Sequence, residues 1–442
     1  MGVWKRSPGA RECALRHPEL RKNFARVLKD CSDEDISGSP YAIFDYTLDP
    51  SFGTSEDLGN LRFKLNHLGL KLFLDFVPNH LALDHPLTES EPAVFIQGVQ
   101  KDFEKDPSSF FKTSTGRYFA HGRDPYFPAW NDTVQVNYFS PDYRRFCERQ
   151  LLKIAEICDG VRCDMAMLGL NRIFKKIWSP YLEKTPEPSA EYWGQVISGV
   201  RAKHPLFSFI AETYWDLEWE LQQLGFDYTY DKKLYDKLLN DSAASIQGHL
   251  KADIAYQDKS MRFIENHDEA RAAKIFGVEK SQAAAVVMST VPGMHFFHEG
   301  QMDGKTMQVP IQLTRTPEEK PIKILRDFYQ VLLEYSNDEV FHKGSWQLLE
   351  VTSVWKDLQD FKNMLAWAWE NNSRICLVIV NYSSETSQAR VRMPEHWLKQ
   401  KTLTLHDKMA SITYVRDVEE LKQQGLYVAL PAWKAHLFEF GI

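Results

Sequence analysis

The sequence lacks the features of a membrane protein or a secreted disulfide scaffold. No run approaches the roughly 20 apolar residues needed to cross a bilayer, and the start MGVWKRSPGAR has no hydrophobic stretch that could serve as a secretion signal. The six cysteines are scattered through 442 residues without CxxC pairs. We therefore expect reduced thiols, a cytoplasmic location and no membrane partner.

An excess of positive charge is also missing. The chain has 53 Lys and Arg against 60 Asp and Glu, a formal net charge of −7, so it lacks the basic field that nucleic-acid binding requires. Apolar residues make up 43% and charged residues 26%, close to the average of globular proteins. The sequence predicts a folded chain of two or three domains with no nucleic-acid partner, and it leaves the oligomeric state open.

Short apolar runs alternate with helix-like segments through the middle of the chain. The runs lie at Lys71–Val77, Gly160–Ala166, Ser208–Tyr214, Phe226–Tyr230, Met261–Asn266 and Met294–His298. Among the helix-like segments are Glu56–Leu68, Asp142–Ile157, Ala190–Lys203, Lys232–His249 and Glu279–Val291. This order predicts an α/β protein with a helix-covered parallel sheet. Because the GxGxxG of a Rossmann sheet is absent and several runs end in polar residues, we predict a (β/α)₈ TIM barrel.

Two regions depart from a plain barrel. The segment 78–140 is too long for an ordinary βα loop and predicts a small excursion domain. After about residue 343, alternating apolar and polar runs separated by Asn, Ser and Pro predict a C-terminal antiparallel β-sandwich. The predicted domains are a barrel over 1–342, which includes the excursion 78–140, and a sandwich over 343–442.

Three acids stand at the ends of three different predicted strands, namely Asp164, Glu212 and Asp268. Strand ends converge on one face of a barrel, so these side chains could share a cavity. Cleavage of a glycosidic bond with retention needs two carboxyl groups about 5 to 5.5 Å apart, one as nucleophile and one as acid and then base. Any one of the three alone would more often be a helix cap or a surface ion pair. Their joint placement favours a catalytic role.

Four motifs around these acids resemble the α-amylase superfamily, glycoside hydrolase family 13. They are D-x-V-x-N-H at 75–80, G-x-R-x-D at 160–164, A-E at 211–212 and N-H-D at 266–268, and they follow the order of the family. The likeness runs from about residue 3 to residue 440. This resemblance implies a barrel enzyme that acts on α-glucosidic bonds.

The resemblance also implies catalytic roles. Asp164 would be the nucleophile, Glu212 the general acid/base and Asp268 the carboxylate that stabilises the transition state. Arg162 would lie beside Asp164, because a buried opposite charge keeps a carboxylate ionised. Glu212 would need drier surroundings that keep it protonated.

Substrate binding is implied for three further residues. His80 and His267 would form hydrogen bonds with hydroxyl groups of the sugar in the cleavage subsite, and Tyr41 would stack on its ring. Three other aromatic residues are expected in the core or scaffold, with a role as sugar platforms as the alternative: Trp130, Tyr214 and Trp215.

Three features depart from the family pattern. Starch-cutting members often carry Lys-His at the third and fourth positions after the nucleophile, where this chain has Met167 and Leu168. Asn79 is a calcium ligand in some members, but one carbonyl oxygen is a poor basis for a site that takes six to eight oxygens. Gly2–Trp4 resembles the tail of the second barrel strand, so the first strand and first helix are expected to be missing.

The leading hypothesis is therefore a retaining glycoside hydrolase acting on α-glucans or malto-oligosaccharides. A close alternative is a transglycosylase or isomerase of a small α-glucoside such as sucrose or trehalose. An inactive barrel that serves as a binding or scaffold protein is the alternative from another class. A metal-dependent barrel hydrolase would require an H-x-H pair at the end of an early strand, and the sequence contains no such pair. The chemistry requires no cofactor, and structural calcium stays an open option.

Overall fold

The computed structural model describes residues 2–183 and 185–442. The backbone packs as two compact units. The first ends at Tyr230 and also contains Val309–Pro317, and the second contains Asp231–Gln308 and Glu318–Ile442. No helix formed by the described residues is both long and apolar enough to cross a membrane. The domain boundaries predicted from the sequence stay predictions.

The first unit contains strands β1 to β11 and helices α1 to α9. The strands are Trp4–Arg6, Ile43–Leu48, Phe73–Phe76, His80–Ala82, Gln97–Gly98, Phe110–Lys112, Tyr118–Ala120, Thr133–Gln135, Gly160–Cys163, Ser208–Ala211 and Tyr228–Tyr230. The helices are Pro8–Arg16, Pro18–Val27, Ser55–His67, Leu87–Ser90, Gln100–Lys105, Pro141–Ile157, Asn171–Trp178, Tyr192–Arg201 and Glu218–Gln223.

Helix α6 shows how local sequence builds this unit. Ser140 caps it by accepting a hydrogen bond from the amide of Tyr143, and Pro141 occupies the first turn, where a missing N–H costs nothing. Its buried residues Cys147, Leu151 and Ile154 follow the i, i+4, i+7 spacing of one helix face. That face joins the main hydrophobic core of the unit.

Four parallel strands form the centre of the first unit in the order β3-β9-β10-β11. They are close together at the start of β9, where a Cβ on Gly160 would lie 2.3 Å from Phe73 Cε1 and 2.7 Å from the backbone oxygen of Ser208. Each strand lies within one of the predicted apolar runs, and the predicted alternation of strands with helices is confirmed.

Among the described residues, no strand-to-strand hydrogen bonds close the parallel sheet into a barrel. Strand β3 lies at the edge of the sheet, with a strand partner on one side only. The physical reason lies in β1, the expected tail of a barrel strand. It pairs antiparallel with β2, so that pairing does not extend a parallel ladder beside β3. The indole N–H of Trp4 nevertheless reaches the end of β3 and donates to the backbone oxygen of Asp75 at 2.5 Å.

The predicted excursion segment forms two small antiparallel sheets. Strand β4 pairs with β8, and β5, β7 and β6 form a three-stranded sheet. Buried aromatic side chains at Phe95, Phe110 and Phe119 join these strands to the main core of the first unit.

The second unit contains strands β12 to β22 and helices α10 to α17. The strands are Ser260–Arg262, Met294–His295, Ser345–Leu348, Val351–Thr352, Met364–Asn371, Arg374–Asn381, Ser387–Val391, Thr402–Asp407, Ile412–Asp417, Leu426–Leu430 and Ala435–Gly441. The helices are Lys232–Asn240, Ala243–His249, Ile254–Gln257, Ala272–Ile275, Val278–Thr290, Lys323–Ser336, Glu339–Lys343 and Val418–Gln424.

One predicted helix of this unit is wrong in its length. Lys232–His249 is two helices, because the chain is extended at Asp241 and Ser242. The side chain of Asp241 accepts hydrogen bonds from Ser245 Oγ and Lys237 Nζ. Asp and Ser compete in this way with the backbone hydrogen bonds of a helix.

Strands β14 to β22 form two antiparallel sheets, in the orders β14-β16-β17-β22-β19-β20 and β15-β18-β21. Ala366 and Leu377 from one sheet share a core with Val391 and Val428 from the other, which is the face-to-face arrangement of a sandwich. On the other face of β16, the indole of Trp367 donates to the backbone oxygen of Thr290. Both faces are thus buried, so this strand is apolar nearly throughout.

Candidate active site

Polar residues of the first unit gather at the carboxyl ends of its parallel strands. In register, Asp75 on β3 faces Arg162 on β9. The ladder continues past the strand ends, since the amide of Asp164 donates to Phe76 O at 2.8 Å and the amide of Glu212 donates to Cys163 O at 3.0 Å. Adjacent strands therefore hold the two predicted catalytic carboxylates side by side.

One buried guanidinium lies among three of these carboxylates. Arg162 Nη1 is 3.0 Å from Asp164 Oδ1 and 3.8 Å from Asp75 Oδ1. Its Nη2 is 2.7 Å from Glu212 Oε2. All four side chains are less than a tenth exposed. Buried charges are tolerated only when they are paired, so Arg162 compensates a cluster that would otherwise be too acidic to bury.

Two tyrosine rings flank the guanidinium of Arg162. The ring centroids of Tyr41 and Tyr230 lie 5.5 Å and 5.7 Å from its central carbon, within the range of cation–π contacts. Burial alone would lower the pKa of Arg162, but Glu212 and its other neighbours hold that pKa well above its ordinary value. Burial raises the pKa of Tyr230 to about 12, so its hydroxyl stays protonated and accepts a hydrogen bond from Arg162 Nε at 3.3 Å.

Glu212 is held at both carboxylate oxygens. Oε1 accepts from the hydroxyl of Tyr214 at 2.8 Å, and Oε2 accepts from the amide of Met165 at 2.6 Å as well as pairing with Arg162. Met165 has a φ of 45°, in the left-handed region that only a small share of non-glycine residues adopt. The sequence predicted Arg162 beside Asp164 and dry surroundings for Glu212. The structure buries Glu212 as expected, but it places the charged guanidinium of Arg162 beside Glu212 too.

His80 lies on β4 in the same unit and is almost completely buried. Burial lowers its pKa to about 3, so the imidazole is neutral near pH 7. Its Nδ1 has no hydrogen-bond partner among the described residues, and its ring centroid is 4.9 Å from that of Trp130. A buried ring nitrogen without a partner is suited to a hydroxyl group of a ligand.

The N-H-D motif lies in the second unit. His267 Nε2 is 3.2 Å from Asp268 Oδ2, and the side chain of Asp268 is 47% exposed. Asn266 Oδ1 accepts from the amides of Asp268 and Glu269 at 2.9 Å and 2.8 Å. Gln308 Nε2 donates to the backbone oxygen of Asp268 at 2.8 Å. These bonds hold the turn that presents the predicted transition-state carboxylate.

The carboxylate of Glu265 stabilises the loop that carries this motif. Glu265 is completely buried, and its carboxylate accepts from Arg271 Nη1 at 2.7 Å and from the amide of Ala272 at 2.6 Å. Arg271 also donates to the backbone oxygen of Glu299 at 2.6 Å. Both ends of the turn around Asp268 are therefore anchored by one buried ion pair.

The positions that depart from the family pattern offer little to a ligand. Met167 and Leu168 are buried in a short 3₁₀ helix. Asn79 Oδ1 accepts a hydrogen bond from Gln135 Nε2 at 3.2 Å. Across residues 2–183 and 185–442 there is no group of three or more His, Cys, Asp or Glu that could hold a metal ion.

Sequence reasoning did not assign two members of this cluster. Asp75 belongs to a recognised motif, yet its contact with Arg162 needs the register between β3 and β9. Tyr230 ends the apolar run 226–230, and its position at a strand end is the only sequence feature that could have indicated a place in the site. The structure brings Tyr41, Arg162, Asp164 and Glu212 together around one guanidinium.

Part of the first unit is similar to a known protein family. Residues 30–140 match a family model described as alpha amylase, catalytic domain. Over 314 residues the chain is 24% identical to alpha-amylase 3 of Dictyoglomus thermophilum, an alignment that covers 64% of this chain and 57% of that protein. The chain is therefore similar to the α-amylase family. It spans about half the length of the curated relatives that it matches.

Solved structures show that this chain shares its fold with enzymes named as α-amylases. The maltogenic alpha-amylase AmyB from Thermotoga neapolitana superposes with a TM-score of 0.67 at 20% identity, covering 92% of this chain and 86% of that one. A mutant of trehalulose synthase MutB superposes with a TM-score of 0.65 at 16% identity, covering 91% and 89%. At these identities the likeness is one of fold.

Proposed function

We propose that this chain is a retaining glycoside hydrolase of the α-amylase family that cleaves α-glucosidic bonds of α-glucans or malto-oligosaccharides. The observation that carries the proposal is the guanidinium of Arg162, which pairs with both Asp164 and Glu212 at neighbouring strand ends. Retaining cleavage needs such a pair of carboxyl groups, one to attack and one to move a proton. The named relative and the maltogenic fold neighbour support an α-glucan as the substrate. These two similarities also support a (β/α)₈ barrel as the fold to which the parallel strands belong.

The proposed reaction has two displacements. A carboxylate oxygen of Asp164 attacks the anomeric carbon while Glu212 gives a proton to the glycosidic oxygen, so that the carbon–oxygen bond breaks and the leaving sugar departs. Glu212 then takes a proton from water, whose oxygen attacks the same carbon and releases Asp164. The hydroxyl of Tyr214 can donate or accept, so its contact with Glu212 suits both protonation states.

Substrate contacts complete the proposal. His80 would bind a sugar hydroxyl through Nδ1. Tyr41 is buried against Arg162 and its hydroxyl lies 3.3 Å from Asp75 Oδ2, a position in which it also orients the guanidinium. Asp268 and His267 keep the roles that the resemblance implies, as stabiliser of the transition state and ligand of a sugar hydroxyl.

A second candidate function is transglycosylation or isomerisation of a small α-glucoside such as sucrose or trehalose. Burial of Met167 and Leu168 favours it, because the polar pair that starch-cutting members often carry there is missing. A fold neighbour that is a trehalulose synthase agrees with this candidate. The same carboxylates would act, with a sugar hydroxyl in place of water.

The test is product chromatography with starch, maltohexaose, sucrose and trehalose. We expect glucan fragments from the unaltered chain and at least about 10³-fold slower release from Asp164→Asn and Glu212→Gln. Glu220→Gln is the matched control, because Glu220 is a partly exposed carboxylate paired with Arg172 on the surface. Isomer or transfer products from sucrose or trehalose would select the second candidate. No turnover of any substrate would select the inactive scaffold.

Structural calcium stays an open option, and the thermal stability of the chain with and without calcium tests it. Because Asn79 Oδ1 is engaged by Gln135, we expect millimolar calcium after chelation to change the Tm by less than about 1 °C. A calcium-dependent rise larger than about 3 °C would show a structural site, since a ligand that binds only the folded state stabilises it.

A further inference from the structure

We infer that Val309–Pro317, here called the strap, is a positioning element for Tyr41. The strap belongs to the first unit although it comes from late in the chain, and it acts on residues 35–41, here called the Tyr41 segment. The inference rests on the proposed function, because Tyr41 contacts a sugar only in that reaction. Sequence reasoning assigned no role to the strap or to its Arg315.

The strap pairs with the Tyr41 segment through the backbone. The amide of Ser37 donates to the backbone oxygen of Gln312 at 2.9 Å, and the amide of Thr314 donates to the backbone oxygen of Asp35 at 2.9 Å. These two bonds flank a single antiparallel bridge. Paired bonds of this kind fix two extended chains in one register.

An ion pair holds the same register through side chains. Arg315 Nε is 2.6 Å from Asp35 Oδ1, and Arg315 Nη2 is 3.1 Å from Asp35 Oδ2. These hydrogen bonds lower the pKa of Asp35 from its ordinary value, so the pair stays charged at neutral pH. Asp35 Oδ2 also accepts from the amide of Ser32 at 2.8 Å. Because a bidentate contact of guanidinium with carboxylate is geometrically specific, Arg315 fixes the place of Asp35.

The strap depends on these contacts for its own conformation. Within residues 309–317, all of which the structure describes, no helix forms and every residue is at least partly exposed. Ile311 packs against the main core of the first unit, and Leu313 packs against the small cluster that contains Phe24 and Ile36. The strap therefore adds little to the core, which distinguishes it from a purely structural segment.

The chain between the strap contacts and Tyr41 has little freedom to absorb a shift. Gly38 has a φ of 79°, and a Cβ there would lie 2.6 Å from a backbone nitrogen of helix α1. Pro40 has a fixed φ, and the amide of Tyr41 donates to Ser39 Oγ at 3.2 Å. Ser39 and Tyr41 are both buried. A displacement at the strap contacts is therefore passed on to Tyr41.

Tyr41 in turn contacts three polar groups of the site. Its ring faces the guanidinium of Arg162, and its hydroxyl lies 3.3 Å from Asp75 Oδ2. Burial lowers the pKa of His80, and a hydrogen bond to the backbone of Tyr41 partly opposes that effect. Loss of the strap contacts would let the tyrosine ring and the imidazole shift together. Arg315 is thus a positioning residue for both proposed sugar contacts.

Steady-state kinetics with maltohexaose test this role. Arg315→Met removes the ion pair, and we expect kcat/KM to fall about 10-fold. Arg315→Lys keeps the charge without the two-pronged geometry, so a loss of about 3-fold is expected. Arg326→Met is the matched control, because Arg326 forms a partly exposed pair with Asp303 at 2.5 Å. It should leave kcat/KM within about 1.5-fold.

A double-mutant cycle separates the positioning of Tyr41 from a general loss of stability. In the Tyr41→Ala background, Arg315→Met should change kcat/KM by less than about 2-fold, because the side chain that it positions is gone. A full 10-fold loss in that background would overturn the inference. An Arg315→Met variant with a lowered Tm and unchanged kcat/KM would overturn it as well.

Amide hydrogen exchange provides a measurement that needs no activity. We expect Arg315→Met to speed exchange at the amides of Ser37 and Tyr41 by at least about 10-fold, and Arg326→Met to change neither. Faster exchange at Ser37 alone, or at neither amide, would show that the strap does not position Tyr41. If the unaltered chain does not turn over maltohexaose, the proposed function fails, and exchange alone then decides the inference.

Discussion

At the scale of single residues, burial sets the charge of His80. Its pKa is lowered to about 3 in the folded chain, against about 6.5 when unfolded. Between these values the unfolded state binds the extra proton, so we expect the free energy of unfolding to fall as the pH is lowered through this window. Each such histidine contributes at most about 1.4 kcal/mol per pH unit. Urea unfolding at several pH values checks this.

The control separates His80 from other titrating groups. His80→Gln should show a shallower decrease between pH 6.5 and 4 than the unaltered chain does. His406→Gln, which changes an exposed histidine of the second unit, should leave the slope unchanged. Equal slopes for all three proteins would contradict the role of burial at His80.

Arg162 is the residue on which the acidic cluster depends. Removing its charge by Arg162→Met leaves Asp164 and Glu212 buried without their cation, so we expect the free energy of unfolding at pH 7 to fall by about 3 to 5 kcal/mol. Arg172→Met, which breaks the surface pair with Glu220, should cost no more than about 1 kcal/mol. Similar losses in the two variants would show that the cluster does not depend on Arg162.

At the scale of secondary-structure elements, two glycines with different surroundings give opposite expectations. Gly160→Ala places a Cβ against the backbone oxygen of Ser208, so β9 and β10 must separate, and we expect a loss of about 1 to 3 kcal/mol. Gly59→Ala, inside α3, meets no atom within 4 Å and should gain up to about 1 kcal/mol through higher helix propensity. Thermal unfolding of both variants checks the signs, and a stabilising Gly160→Ala would show that the two strands can separate freely.

At the scale of the whole molecule, apolar side chains at the surface predict dye binding. Phe63 and Leu68 are 71% and 74% exposed on or next to α3, and Leu61 is also exposed. We expect the triple change of these residues to Gln to lower anilinonaphthalene sulfonate fluorescence, because exposed apolar patches bind such probes. The free energy of unfolding should change by less than about 1 kcal/mol, as is usual for surface positions.

The control changes a single exposed side chain of another helix. Ile324→Gln changes an exposed apolar residue of α15 and should alter the fluorescence far less than the triple change. If the two proteins bind equal amounts of dye, the α3 residues do not form the binding surface.

The sequence by itself determined the elements and the order of the motifs. The cap and apolar spacing of α6 are local, and each predicted run of the parallel sheet contains a strand, because periodicity depends only on near neighbours in the chain. The positions of Asp164 and Glu212 near the ends of two of those runs predicted that both lie in the active site. The extended break at Asp241 escaped prediction, because the side-chain hydrogen bonds that stabilise it compete with a helical pattern that otherwise continues.

Only the tertiary structure decided which of these residues meet. The contact of Arg162 with Asp75 depends on strand register, and its contact with Tyr230 depends on how β11 follows β10 in the sheet. The antiparallel pairing of β1 and the bridge between Ile36 and Leu313 likewise join segments far apart in sequence. A pattern of side chains assigns each residue to a face of its own element, but distances between elements follow from packing of the whole chain.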